Sequence, residues 1–186
     1  MNKLSDEILK KKYSELHNDF IKGDFLNVIK GCNKVLEKRK NQLFFNLLCI
    51  AYQKIGKIEK SIDVMNEALK FNPNHPDFLN NLGLCFYMLH KFSEAEKYFK
   101  KGLEVNNKHL HILNNLGNLK RETFKVEESI EYYKKVLSIQ KDAVPALFNL
   151  VGICRITNRK EDSKQYCKKI LKLNKKLTDA DRQYSL

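Results

Sequence analysis

The side chains of this 186-residue chain that could do covalent or metal chemistry are few and dispersed. Cys32, Cys49, Cys85, Cys154 and Cys167 form no C-x-x-C pair, and an odd count argues against a disulfide framework. They read as small apolar core residues in a reducing compartment. His109-x-His111 is the one close histidine pair, and no cysteine or carboxylate cluster stands beside it at metal-binding spacing. No Gly-rich phosphate loop, G-x-S-x-G or H-E-x-x-H occurs. The expectation is a chain with no catalytic residue, no metal and no cofactor, and not an enzyme in itself.

Two other sets have a spacing that suggests chemistry of a non-covalent kind. Asn81, Asn115 and Asn149 follow one another at a step of 34 residues, and so do Arg121 and Arg155, two of only five arginines. An asparagine amide carries both donor and acceptor, so a row of them can hold the main chain of an extended peptide without reading its sequence. Arginine forks favour carboxylates and phosphates.

The segments that must position these residues repeat at the same step. Leu79-Asn80-Asn81-Leu82-Gly83 recurs as Leu113-Asn114-Asn115-Leu116-Gly117, with looser copies at Phe45-Asn46-Leu47-Leu48-Cys49 and Leu147-Phe148-Asn149-Leu150-Val151. A fixed period in this range marks a stacked-repeat architecture. Numbered from Gln42, Pro76, Leu110 and Val144, the repeats place apolar residues at positions 4, 7 and 11, then at 17, 21, 24 and 28. That is helical spacing on two segments, so each unit predicts helix, turn, helix. Position 20 is small (Ser61, Ala95, Ser129, Ser163) and position 28 is leucine throughout (Leu69, Leu103, Leu137, Leu171). Gly83 and Gly117 at position 8 predict a close approach of paired helices. Pro76 and Pro145 sit at helix starts, where a missing N–H costs nothing. A degenerate copy over 9–41 contributes Gly23-Asp24-Phe25 at its turn, followed by Val28, Cys32, Val35 and Leu36.

The pattern resembles the tetratricopeptide repeat (TPR) family. Gly83, Phe86, Ala95, Phe99 and Leu103, with Pro73 closing the repeat before, carry the resemblance. Lys120 departs from it where other copies have Phe86 and Tyr52, and Val151 stands in place of the glycine, with Gly152 one place late. The resemblance implies an all-α fold, an α-solenoid wound as a right-handed superhelix of five repeats (about 9–41, 42–75, 76–109, 110–143 and 144–177). It fills 1–177 with the array and leaves 178–186 as the start of a capping helix or a truncated linker, with a helix cap at Thr178-Asp179.

It also implies that positions 2, 5, 6, 9, 12 and 13 of the first helices line a concave groove. Asn80, Asn81, Asn114, Asn115, Asn118, Asn149, Arg121, Arg155, Tyr87 and Phe148 are then the peptide-binding residues. The asparagine row is similar to that in the TPR region of O-GlcNAc transferase. Arg121 and Arg155 would grip an acidic side chain or a terminal carboxylate, unless Arg121 pairs with Glu122. Tyr13, Phe20 and Met88 would add apolar contacts. The chaperone-tail clamp of some TPR domains is not reproduced, because Asn46, Asn80 and Asn114 occupy the position where it needs lysine.

Net charge is +13, which would draw phosphates or acidic proteins. Lysine far exceeds arginine, as an AT-rich genome would produce, and Lys97, Lys100, Lys101, Lys134, Lys135, Lys168 and Lys169 fall on the outer face of second helices. A protein or peptide partner, acidic ones favoured, is expected ahead of nucleic acid. No apolar run approaches the roughly 18 residues of a spanning helix, and the charged Met1–Glu7 lacks a signal-peptide core. A cytoplasmic scaffold without membrane contact is the expectation. Ala180-Asp181-Arg182 faintly resembles the segment that joins TPRs to a sulfotransferase domain in some bacterial proteins, so the second reading is the substrate-recruiting region of a longer transferase, sulfotransferase or glycosyltransferase, with a C-terminal catalytic domain. An RNA-binding helical repeat is the third.

Overall fold

A computed structural model describes residues 5–183. Met1–Leu4 and residues 184–186, which hold part of the charged N-terminus and the end of the expected capping segment, lie outside the described residues. The fold is all-α. Its ten helices are α1 (Asp6–Ile21), α2 (Phe25–Lys38), α3 (Gln42–Lys54), α4 (Ile58–Phe71), α5 (Pro76–Met88), α6 (Phe92–Val105), α7 (Leu110–Glu122), α8 (Val126–Ile139), α9 (Val144–Ile156) and α10 (Lys160–Gln183). They run as sequential pairs, one pair per repeat. Two compact units divide between Asn107 and Lys108, with α1–α6 in the first and α7–α10 in the second.

Local sequence explains where the helices start and turn. Ser5 accepts from the N–H of Ile8 at 3.4 Å and Asp24 from that of Asn27 at 3.1 Å, each covering one unsatisfied donor of a first turn. Pro76 opens α5 and Pro145 stands in the first turn of α9. Within every pair the chain reverses through one residue in the left-handed region: Gly23, Gly56, His90, Phe124 and Asn158, with φ of +83°, +73°, +57°, +59° and +58°. The turn is thus the same in all five pairs, although only the first two carry the residue that adopts this conformation without cost.

Inside each unit, neighbouring helices pack in chain order, and in the first unit α1 also meets α3 and α3 meets α5. The buried columns differ from the expected ones in three places. Position 3 of the first helix is in the core (Phe44, Phe78, Ile112 and Ala146, at most 1% exposed), as is position 10 (Ala51, Cys85, Leu119, Ile153). On the second helix the core column is 20, 24 and 27 rather than 28: Leu171 is 67% exposed while its neighbour Ile170 is buried. First helices, enclosed on more sides, need a broader apolar face than an isolated amphipathic helix would show. Each fully buried Leu or Phe contributes about 1.5–3 kcal/mol.

Positions 8 and 24 share one space between the paired helices. A Cβ on Gly83 would lie 2.7 Å from Phe99, and one on Gly117 would lie 2.6 Å from Tyr133. Where position 8 has a side chain, position 24 is no ring: Cys49 is matched with Met65 and Val151 with Cys167. Gly152, by contrast, faces open space. Ser61 and Ser129, both fully buried at position 20, donate to the carbonyl oxygens of Cys49 and Gly117 at 2.9 and 2.7 Å. A small hydroxyl there satisfies itself on the facing helix.

The helix start expected at Thr178 does not occur. α10 runs through it without a break to Gln183. From Lys160 to Gln183 the segment contains neither Gly nor Pro and is rich in Lys, a good helix former, so no breaker ends the helix.

Candidate functional site

The asparagines of the first helices do not stand as isolated posts; they bond diagonally from one repeat to the next. In the first unit, Asn81 Nδ2 on α5 donates to Asn46 Oδ1 on α3 at 3.0 Å, and Asn80 Nδ2 donates to Asn81 Oδ1 at 3.4 Å. In the second unit, Asn149 Nδ2 on α9 donates to Asn114 Oδ1 and to Asn118 Oδ1 on α7, both at 3.4 Å. The pairing joins position 6 of one repeat to position 5 of the repeat before, and in the second unit to position 9 as well.

Arg121 completes the second-unit network. One terminal nitrogen donates to Asn149 Oδ1 at 3.4 Å and the other to Glu122 Oε1 at 3.3 Å. The pairing with Glu122 is therefore present, alongside an intramolecular bond to Asn149. Tyr133 on α8, fully buried, sends its hydroxyl to Asn118 Oδ1 at 2.6 Å. Asn115 is half-buried on the same helix. Phe148 is 58% exposed and Ile156 is 73% exposed. Arg155 is exposed one position before Ile156.

Several expected site residues sit elsewhere than on an open wall. Asn80 is buried, 8% exposed, and its side chain supports Asn81. Tyr87 is half-buried with its ring 5.7 Å from that of Phe92 at the following turn, whereas Met88 is exposed. Tyr13 and Phe20 are half-buried and pack against the core: Tyr13 meets Phe44 edge-on at 5.7 Å and Phe20 meets Phe25 at 5.2 Å. Tyr133 and Asn46 are the residues of the network that pattern reading did not assign to it. The signal for Tyr133 was a tyrosine in a column otherwise held by apolar side chains, since a buried phenol needs a partner.

Lys120 is buried in α7, and its Nζ lies 2.8 Å from Glu128 Oε2 on α8. The corresponding place in the third repeat holds Phe86, stacked on Tyr98 at 5.4 Å. An ion pair thus replaces an aromatic stack between paired helices.

The thiols are unpaired, four buried and Cys167 partly so. Burial pushes the Cys32 thiol up to about 12. Hydrogen bonding between Cys49 and Cys85 raises the first and lowers the second, and Gln53 Nε2 donates to both sulfurs, at 3.5 and 3.2 Å. Among the described residues, no group of three His, Cys, Asp or Glu side chains is placed to hold a metal, and no helix is long and apolar enough to cross a membrane.

Paired helices in register, glycine or small residues where they touch, and amides bonded from repeat to repeat define a helical-repeat scaffold. Tetratricopeptide repeat profiles match residues 42–75, 76–109, 109–145 and 144–177, and the chain belongs to that family. Repeats of this family mediate protein–protein interactions and are typically non-catalytic. The fold is similar to MamA (20% identity over 87% of this chain and 95% of that one, TM-score 0.71) and to BtubC from P. vanneervenii (18%, 92% and 82%, TM-score 0.78). It is also similar to the first TPR of Spaghetti (RPAP3) bound to the HSP90 peptide SRMEEVD (22%, 62% and 92%, TM-score 0.57). A search of curated proteins finds no match to the sequence.

Proposed function

We propose that the chain is a non-catalytic scaffold that binds an extended segment of a partner protein along its first helices. The observation that carries this reading is the recurrence of one amide pairing in both units, Asn81 with Asn46 and Asn149 with Asn114. A core needs no such row of half-buried amides, and a solvated face would not hold it in register. A groove that grips main chain would use both properties. The fold-level likeness to a TPR domain captured with a peptide supports the same reading. Phe148, Arg121 and Arg155 extend the face toward a partner with an apolar residue and carboxylates.

Affinity purification followed by mass spectrometry tests the proposal. Wild-type chain is compared with the Asn81→Ala, Asn115→Ala, Asn149→Ala triple variant, folded as judged by circular dichroism. Loss of specific partners by the variant is expected. An unchanged partner list would move the interaction off this face.

A further inference from the structure

The second unit's amide network has a polarity, and one residue sets it. Arg121 has five N–H donors and no acceptor. Its contact with Asn149 therefore requires the oxygen of that amide, and Oδ1 is the atom it meets at 3.4 Å. With its oxygen committed, Asn149 turns Nδ2 toward α7. Its two hydrogens then require oxygens, which Asn114 and Asn118 supply at 3.4 Å each. The Tyr133 hydroxyl, at 2.6 Å, holds the Asn118 oxygen in that orientation from beneath. Each step follows from the one before by donor–acceptor matching alone.

The consequence is that the amide oxygens of Asn114, Asn118 and Asn149 are each held by a donor of the network. What remains outward on Asn114 and Asn118 is Nδ2, which has no partner among the described residues. The unused N–H groups of Arg121 add to these donors, and Glu122 at the rim is held against the same guanidinium. Arg155 stands exposed at the matching position of the next repeat, without an ion pair among the described residues.

Resting on the peptide-binding reading, we infer that the α7–α9 face is a donor surface that selects an extended peptide by its carbonyl edge and its carboxylates. The partner it fits is an acidic segment with one apolar side chain to cover Phe148 and Ile156, which are 58% and 73% exposed. A neutral glutamine-rich segment fits less well, because its amide oxygen is uncharged and a weaker acceptor for these donors than a carboxylate.

Asn149→Asp reverses the arrangement. Aspartate offers only acceptors, so it keeps Arg121 and forces Asn114 and Asn118 to turn Nδ2 inward and their oxygens outward. Lys134→Gln, on the exposed outer face of α8, changes net charge by the same step without touching the network. Fluorescence polarisation would use three labelled probes: a dodecapeptide of Glu, Ala and one Leu, its Glu→Gln counterpart, and oligo(U) of twelve nucleotides. Thermal melts would confirm that both variants stay folded.

The wild type is expected to prefer the Glu probe over the Gln probe by about tenfold, the worth of one charge-assisted hydrogen bond. Asn149→Asp should abolish that preference, and Lys134→Gln should leave it within about twofold. Equal affinity of the wild type for the Glu and Gln probes would overturn the donor surface while leaving peptide binding intact. So would an Asn149→Asp variant with wild-type selectivity. Binding of neither peptide would overturn the peptide-binding reading itself, and oligo(U) displacing the Glu probe would overturn the choice of carboxylate over phosphate.

Discussion

The hydroxyl of Tyr133 lies 2.6 Å from Oδ1 of Asn118, which places a fully buried core ring in direct contact with the face proposed to bind. Core packing and surface polarity meet in that one hydrogen bond. Tyr133→Phe removes it while conserving the ring. A loss of about 0.5–1.5 kcal/mol in stability is expected, the net worth of a buried hydrogen bond. Affinity for the Glu probe should fall with it, since the Asn118 oxygen keeps Asn149 as its one donor. Denaturant midpoints and polarisation would measure both, and wild-type affinity in the variant would separate core from face.

Gly117→Ala acts on the same ring by a different route. The added Cβ would sit 2.6 Å from Tyr133 Cε1, a ring that is fully buried. Overpacking of this kind costs about 1–3 kcal/mol. The chemical-denaturation midpoint should drop accordingly, whereas Gly152→Ala, with nothing within 4 Å of the new carbon, should not destabilise the chain. Comparable losses from both substitutions would contradict the close approach at Gly117.

Lys120 offers a test of charge in a core position. Its side chain is 4% exposed and that of Glu128 is 49% exposed. Glu128→Gln leaves the buried ammonium without its carboxylate, at an expected cost of about 1–3 kcal/mol, below that of a fully buried pair because Glu128 is half in solvent. Lys120→Phe restores the ring found at Phe86 and is expected to be neutral or stabilising. A destabilising Lys120→Phe would mean that the pair, and not its burial, sustains the contact between α7 and α8.

Phe124 occupies the left-handed turn position at φ +59° and is 91% exposed. Its backbone is strained without any return from packing. Phe124→Gly relieves that strain and should stabilise the chain by about 1 kcal/mol, read as a rise of several degrees in midpoint temperature. No gain would show that the turn is held by its neighbours regardless of the residue.

The thiols predict the alkaline limb of stability. Burial moves Cys32 from the ordinary thiol value of 9.0 to about 12. An acid whose folded value is raised keeps its proton when the unfolded chain has lost its own, so stability falls as pH rises above 9 and levels off near 12. Cys32→Ala should flatten this decline relative to wild type in melts from pH 8 to 11. Parallel declines in the two proteins would rule out a buried thiol as the cause.

Much of this was legible beforehand, for a reason specific to repeats. Each column is sampled several times, so chance at one position is corrected at the next. Leu82, Leu116 and Leu150 at position 7, or Ser61 and Ser129 at position 20, identify themselves by recurrence. The glycines at 83 and 117 announce their close approach because an aromatic follows at the paired position. What misled was taking helical spacing as the whole criterion. Position 28 is leucine in every copy, yet Leu171 is exposed and Ile170 is buried, because α10 packs chiefly against α9 and the side turned away from it is left to solvent. The helix cap expected at Thr178-Asp179 is absent because no Gly or Pro interrupts α10 there, and a capping residue type alone does not end a helix.

From the amino-acid order alone came the repeat, its length, the pairing of helices and the residue types of the face, because these depend on period and on steric preferences within a few residues. The direction of the amides was decided only in three dimensions. Asn114, Asn118 and Asn149 are equally able to give or accept, and no feature of the chain near them chooses. Arg121, which can only donate, makes the choice by taking the Asn149 oxygen, and the Tyr133 hydroxyl, brought in from another helix, follows it by donating to the Asn118 oxygen.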